Sequence, residues 1–297
     1  MPARENANSI GHWNPLEAMP TGHDYEVYHL LDENYDRGII HSHAYYEFYY
    51  FICGNIRVMI EDTSYEVRPY DFFLFPPGYM HRNVASREEN LVYERAYFYL
   101  TEEMLRTMDS RECCLSEIMH GVVRENRFQF HLNRETCEGL IHRMDRIIET
   151  ENSQDPLDRC INRARVMILV ASMCSIMQHS ISQEGVQSDP VITDVMQYIS
   201  SHLTETLSLD RLAEQFFVSK YYMVHAFKEK TGTTIHQYLM LKRIVHAQML
   251  MKRGVPPMQA ARDSGFEDYT GFYRAFRNRT GYAPSEYIRL LGLETDE

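Results

Sequence analysis

The first 187 residues contain no lysine. They hold seventeen arginines against 29 acidic residues, and the whole 297-residue chain has a formal net charge of −12. Taken as a whole, that balance argues against a nucleic-acid partner. Other things are scarce too. None of the six cysteines (Cys53, Cys113, Cys114, Cys137, Cys160 and Cys174) forms a C-x-x-C pair. That excludes zinc-knuckle and dithiol redox spacing and favours buried thiols in a reducing compartment. No apolar run approaches the roughly 20 residues that span a bilayer. The opening Met1-Pro2-Ala3-Arg4-Glu5-Asn6 lacks a basic flank followed by an apolar stretch, so no signal peptide is expected. The expected location is therefore cytoplasmic, with no membrane partner.

What is present is unevenly placed. All five lysines, Lys220, Lys228, Lys230, Lys242 and Lys252, lie between residues 208 and 289. That window holds thirteen basic and seven acidic residues. A basic field inside an acidic chain is the footprint expected of phosphate contact. The length fits about two domains, and a hydrophobic content of 44% is ample for packed cores.

The same window repeats itself. Ser219-Lys220-Tyr221-Tyr222-Met223-Val224-His225-Ala226-Phe227-Lys228, then Thr231-Gly232 and Tyr238, returns as Asp268-Tyr269-Thr270-Gly271-Phe272-Tyr273-Arg274-Ala275-Phe276-Arg277, then Thr280-Gly281 and Tyr287. A short helical segment precedes each copy, Leu209 to Phe216 and Pro257 to Ser264, and a long helix over Ile235 to Lys252 separates them. Ser219 and Asp268 are good N-caps, and Gly265 can supply a positive φ. Met223/Phe227 and Phe272/Phe276, at i and i+4, should face their own cores. The opposite faces then present Lys220, Tyr221, Val224, His225 and Lys228, and Tyr269, Thr270, Tyr273, Arg274 and Arg277. Arginine suits bidentate contact with guanine, and Thr or Tyr can meet thymine methyls and phosphates. Two helix-turn-helix units held by a stiff spacer suit successive turns of a major groove.

Residues 190–289 resemble the DNA-binding domain of the AraC/XylS transcription regulators. The resemblance is carried by Leu212-Ala213, Ser219, Phe227-Lys228, Thr231-Gly232, Tyr238, Arg243, Ala247, Gly265-Phe266, Asp268, Phe272, Phe276-Arg277, Gly281, Pro284 and Tyr287. It implies a seven-helix module with base contacts from Tyr221, Val224 and His225 and from Tyr269, Thr270, Tyr273 and Arg274. Ala260-Ala261 stands where the family often has Ile-Ala, which leaves a smaller core side chain.

The N-terminal part reads differently. From residue 25 to about 100, Tyr, Phe, Val and Ile dominate, and turn signals recur at Asp36-Arg37-Gly38, Cys53-Gly54-Asn55, Glu61-Asp62-Thr63-Ser64 and Pro76-Pro77-Gly78. That pattern predicts an antiparallel sandwich or barrel. In the run Tyr45-Tyr46-Glu47-Phe48-Tyr49-Tyr50-Phe51, alternate rings should face the interior, where Tyr49 could stack on a sugar. Arg134 to Asn152 and Leu157 to His179 have helical period, with Asp155-Pro156 between them, and predict an antiparallel hairpin. Leu140, Met144 and Ile147 form one stripe, and Ile161, Arg165, Ile168/Leu169, Ser172 and Ile176 trace a face of the second helix.

His41-Ser42-His43, Glu47 and Gly54, followed by Pro76-Pro77-Gly78-Tyr79-Met80-His81, resemble the two motifs of the cupin barrel. Cupin-like effector domains commonly precede the AraC-type module. His41, His43, Glu47 and His81 could hold a metal. Gly38, three residues before His41, and Asn83, two beyond His81, depart from metal-binding cupins. The favoured roles are hydrogen bonds to an organic effector or ties between strands, with no cofactor.

The expected fold is α+β with two domains. Residues 1–181 form a cupin-like β-barrel with a helical hairpin, 182–189 a polar linker, and 190–297 an all-α double helix-turn-helix. The expected function is transcription regulation in answer to a small molecule, with a carbohydrate as the candidate effector, leaning towards activation. The expected partners are double-stranded DNA, a second copy through helices in 134–180, and RNA polymerase. The alternative is a metal-dependent cupin enzyme with a tethered DNA-binding module.

Overall fold

The computed structural model describes residues 24–33, 40–85, 92–180, 182–183, 186–187 and 189–290. The turn expected at Asp36-Arg37-Gly38 lies outside them. The N-terminal strands are β1 (Tyr25–Glu33), β2 (Tyr46–Cys53), β3 (Ile56–Ile60), β4 (Thr63–Glu66), β5 (Asp71–Phe75), β6 (His81–Ala85) and β7 (Val92–Leu100). Then come α1 (Glu102–Thr107), α2 (Leu115–Arg124), β8 (Gln129–His131), α3 (Arg134–Ile148), α4 (Pro156–His179), β9 (Ser182–Gln183) and β10 (Val186–Gln187). One sheet has the order β1-β7-β2-β5-β8-β9 and the other β10-β4-β3-β6, and the strand pairs are antiparallel.

The aromatic run in β2 is explained by the pleat. Successive side chains point to opposite faces, and here both faces are covered. Tyr49 and Phe51 join Val58, Tyr65, Phe73, Phe75, Tyr93 and Tyr97 between the sheets. Tyr46, Phe48 and Tyr50 pack outward beneath the helices, with Phe98, Met144 and Met173.

The α3–α4 hairpin forms as its caps dictate. Asn133 accepts from the Thr136 N–H, and Asp155 from the Leu157 N–H with Pro156 in the first turn of α4. Leu140, Met144 and Ile147 are buried, as expected. On α4 the expected stripe is largely the wrong one. The core face is Val166, Leu169, Val170, Met173, Cys174 and Met177, whereas Ile161 and Ile168 are exposed. This helix is apolar on two sides, so its period does not say which side is covered. It is also, among the described residues, long and apolar enough to cross a membrane by length and composition, with a mean hydropathy of 1.4. The run reads short in the sequence because Asn162, Arg163 and Arg165 interrupt its first half.

The stretch expected as a polar linker is partly strand. β9 extends the larger sheet through β8, and β10 pairs with β4 at Val186–Ser64 and Gln187–Thr63.

Among the described residues seven helices follow: α5 (Pro190–Ser201), α6 (Leu209–Gln215), α7 (Lys220–Thr231), α8 (Ile235–Lys252), α9 (Pro257–Asp263), α10 (Tyr269–Thr280) and α11 (Pro284–Leu290). They form two cores that share α8. Ile235, Tyr238 and Leu239 belong to the first with Ile192, Leu212, Met223 and Phe227. Ile244, Ala247 and Met251 belong to the second with Ala260, Phe272, Phe276 and Tyr287.

Candidate nucleic-acid interface and histidine cluster

The repeated residues build two matching helices. Ser219 caps α7 by accepting from the Tyr222 N–H, and Asp268 caps α10 by accepting from the Gly271 N–H. At the other ends Thr231 Oγ1 donates to the Phe227 carbonyl at 2.7 Å and Thr280 Oγ1 to the Phe276 carbonyl at 2.9 Å. Gly232 and Gly281 then turn the chain with φ of 76° and 78°. Left-handed backbone is what glycine adopts without cost, which accounts for the recurring Thr-Gly pair.

The faces fall as the i, i+4 pattern predicts. Met223, Phe227, Phe272 and Phe276 are buried. Lys220, Tyr221, His225, Lys228, Tyr269, Thr270, Arg274 and Arg277 are exposed, and Val224 and Tyr273 are half-buried. Tyr221 is 73% exposed and its ring stacks on His225 at 3.9 Å. Lys220 is paired with Asp210 at 2.9 Å.

The basic field is narrower than the residue count implies. Lys242 is buried and paired with Glu61. Arg243 donates to the carbonyls of Leu203 and Glu205, both at 2.8 Å. Lys252 lies over the Tyr45 ring. On the two outward helix faces Lys228, Arg274 and Arg277 are exposed, as is Lys220 beside its partner Asp210.

In the N-terminal part, four candidate residues converge. His41 and His81 exchange backbone hydrogen bonds of 3.0 and 2.9 Å. The ligand atoms of His41, His43, Glu47 and His81 all lie within 4.8 Å of one another, and all four residues are buried. Glu47 Oε2 stands 2.8 Å from His43 Nε2 and 3.2 Å from His81 Nε2. The other ring nitrogens face carbonyls, His43 Nδ1 that of Tyr45 at 2.9 Å and His81 Nδ1 that of Tyr79 at 3.0 Å. A carbonyl only accepts, so each Nδ1 carries a proton. Each Nε2 therefore meets the carboxylate either as the second N–H of an imidazolium or as a lone pair sharing a cation with it. Burial pushes Glu47 up, but the hydrogen bonds of His43 and His81 outweigh it and hold the carboxyl at about 2. Burial pulls His43 down, towards the neutral ring. Three imidazoles and a carboxylate suit a divalent transition metal, and carbonyls on Nδ1 are the outer partners such a site uses.

Tyr49 is not brought into this cluster. Its ring lies 5.9 Å from Phe75, which stacks on His81 at 4.2 Å, and its hydroxyl is 2.7 Å from that of Tyr93. Arg57 and Glu66 pair with each other on the outside, and Arg68 is exposed. Sequence reasoning missed Arg95, which is 2% exposed beneath the Tyr93 ring and ion-paired with Asp32. Its signal was the alternation Tyr93, Arg95, Tyr97, Tyr99, which aims a cation at the interior.

Residues 24–158 match the AraC-like ligand binding domain, and residues 212–290 match a helix-turn-helix domain. An uncharacterized HTH-type transcriptional regulator of Staphylococcus aureus (strain COL) is 27% identical over 164 residues, covering 53% of this chain and 22% of the relative. The uncharacterized HTH-type transcriptional regulator YijO of Escherichia coli (strain K12) is 27% identical over 145 residues, covering 48% of this chain and 51% of the relative. The chain thus spans about a fifth to a half of the length of these curated relatives. Among solved structures, ToxT from Vibrio cholerae is 14% identical, with coverage of 91% of this chain and 99% of that one and a TM-score of 0.39. An AraC-like ligand-binding domain ahead of a helix-turn-helix domain, in a chain whose C-terminal helices repeat a capped recognition unit, places this protein in the AraC family of transcription regulators.

Proposed function

We propose that this protein is a sequence-specific DNA-binding regulator of transcription that answers to a small molecule. The observation that carries the reading is the matched pair α7 and α10. Both are capped alike, both bury an apolar pair at i and i+4, and both leave the opposite face open. In this reading Tyr221, Val224 and His225 on one helix, and Tyr269, Thr270, Tyr273 and Arg274 on the other, meet base edges. Lys220, Lys228 and Arg277 meet phosphates. His41, His43, Glu47 and His81 receive the effector, with Tyr49 behind them, and a carbohydrate suits their hydrogen-bonding groups. The protein acts in the cytoplasm as an activator that touches RNA polymerase and is not an enzyme. Residues 1–181 serve sensing and dimerisation, and residues 190–297 serve DNA binding.

A second copy joins through the α3–α4 hairpin. Leu157, Ile161 and Ile168 are 69%, 46% and 52% exposed on one side of α4. Pairing that side with its copy would place four recognition helices on two half-sites and raise affinity through effective concentration.

A second reading is favoured by the convergence of three imidazoles on one carboxylate: a metal-dependent activity carried by the N-terminal domain. Stoichiometric Fe, Mn, Ni or Zn in protein purified without added metal, lost on His41→Ala, would support it.

The deciding experiment is footprinting of genomic DNA with the purified full chain. Protected sites sharing a sequence would support the regulator. Uniform retention of all fragments, or none, would sink it.

A further inference from the structure

The histidine cluster is linked to the spacer helix α8 through intervening residues at two places. The first is the turn between β3 and β4. Glu61 sits there with φ of 53°, a strained value for a residue with a side chain. Its N–H donates to the Met80 carbonyl at 2.7 Å, and its carboxylate accepts from the Met80 N–H at 3.0 Å. The same carboxylate accepts from Lys242 Nζ and from the Tyr238 hydroxyl of α8, both at 2.5 Å. Lys242 also donates to the Gly78 carbonyl at 2.8 Å, and the Gly78 N–H donates to the His43 carbonyl at 2.8 Å. Next to Glu61, Asp62 accepts from Thr193 of α5. The second place is Tyr45. Its ring stacks on His43 at 4.0 Å, and Lys252, at the far end of α8, lies 5.9 Å from its centroid.

The four residues Gly78 to His81 therefore carry both ends of a connection. Gly78 and Met80 hold the partners of α8, Tyr79 fixes the His81 ring, and His81 belongs to the cluster. Met80 is fully buried in the core of the first helix-turn-helix unit. Lys242 is 8% exposed and Tyr238 fully buried. A charge pair removed from water is a weak source of stability, and its best-attested use is to fix one arrangement against others. The Lys242 side chain is 9% and that of Glu61 19% exposed, so water is a poor replacement for either partner once the pair is broken.

We propose that Glu61, Lys242 and Tyr238 form a latch that couples the state of the histidine cluster to the hold on α8, and through α8 to both recognition helices. This rests on the reading of the protein as an effector-responsive regulator. A ligand that displaces His81 or His43 moves the Gly78–His81 segment and loosens Lys242. Coupling of this kind requires a shared two-state element, and the docked pair is that element.

The test is hydrogen exchange on the full chain and on His81→Gln, Lys242→Met, Tyr238→Phe and the double variant His81→Gln/Lys242→Met. Tyr238→Phe loses only a hydroxyl, so it guards against a fold lost on charge removal. In each single variant, amides of α8 should exchange about tenfold faster while those of α2 stay unchanged. The double variant should add little beyond either single, as expected for residues acting through one element. Unchanged α8 exchange in His81→Gln, fully additive effects, or acceleration spread evenly over the chain would overturn the latch. Retention of genomic DNA by the wild-type chain is scored separately. DNA binding with additive effects sinks the latch and keeps the regulator; coupling without DNA binding does the reverse.

Discussion

The carbonyl oxygen of Leu203 lies within clashing distance of the place where a β-carbon on Gly265 would stand, and Gly265 has a φ of 85°. The turn of the second helix-turn-helix unit is thus pressed against the loop after α5. Gly265→Ala adds both a clash with backbone and a left-handed alanine, and should cost about 2 kcal/mol or more. Gly139, inside α3 with nothing within 4 Å of an added β-carbon, is the control. There the same change should stabilise by about 0.5–1 kcal/mol through helix propensity. Urea midpoints of the two variants should move in opposite directions.

Arg274 and Lys228 should behave differently on DNA. Arg274→Ala should lower affinity for the protected site by about 1–3 kcal/mol and relax preference at one base pair. Lys228→Ala should weaken all sequences evenly and reduce the salt slope by about one charge. Titrations of specific and scrambled duplexes at several salt concentrations would separate the two. An equal loss on every sequence for Arg274→Ala would reduce it to a phosphate contact.

His29 joins β1 to two neighbours, Asp145 on α3 and Glu94 on β7, each at 3.0 Å. The hydrogen bond to Asp145, opposed by burial and aided by Glu94, raises its pKa above 6.5. A raised histidine pKa contributes stability that is fully present below the unfolded value and lost as pH rises through the folded one. Unfolding midpoints should therefore fall as pH rises from about 6.5 through the raised value of His29, and His29→Gln should flatten that slope. A wild-type slope that survives the substitution would assign it to other groups.

The open side of α4 gives a fourth expectation. Ile161→Glu with Ile168→Glu should turn a dimer into a monomer by sedimentation while helix content holds, because neither side chain is in the core. A monomer in the unsubstituted protein, or a dimer that survives both changes, would remove this helix from any interface.

Much of the fold was legible because its signals are local. Ser219, Asp268 and Asp155 are caps in the structure as their residue types require. The long spacer helix runs over Ile235–Lys252, the bounds expected of it. The matched faces of α7 and α10 follow from Met223/Phe227 and Phe272/Phe276. What escaped depends on which surface comes to cover another. Lys242 reads as one more cation in a basic window, and nothing beside it announces Glu61, 181 residues away. The burial of Leu169 and Met173 rather than Ile161 and Ile168 is likewise decided by a sheet, not by the helix. The grouping of His41, His43, Glu47 and His81 was foreseen by spacing, whereas the distance of Tyr49 from it was not, because alternation gives a face and not a neighbour.

Asp189 ties two helices: its carboxylate accepts from the Val191 and Ile192 N–H groups at the start of α5 and from the Tyr222 hydroxyl of α7 at 2.6 Å. It follows β10 by only two positions. A tether of that length leaves almost no slack, so the reading head cannot swing far without either peeling β10 off the sheet or pivoting at this one carboxylate. The range of postures open to the DNA-facing half is thus set by the stitching of the strand just before it as much as by any ligand.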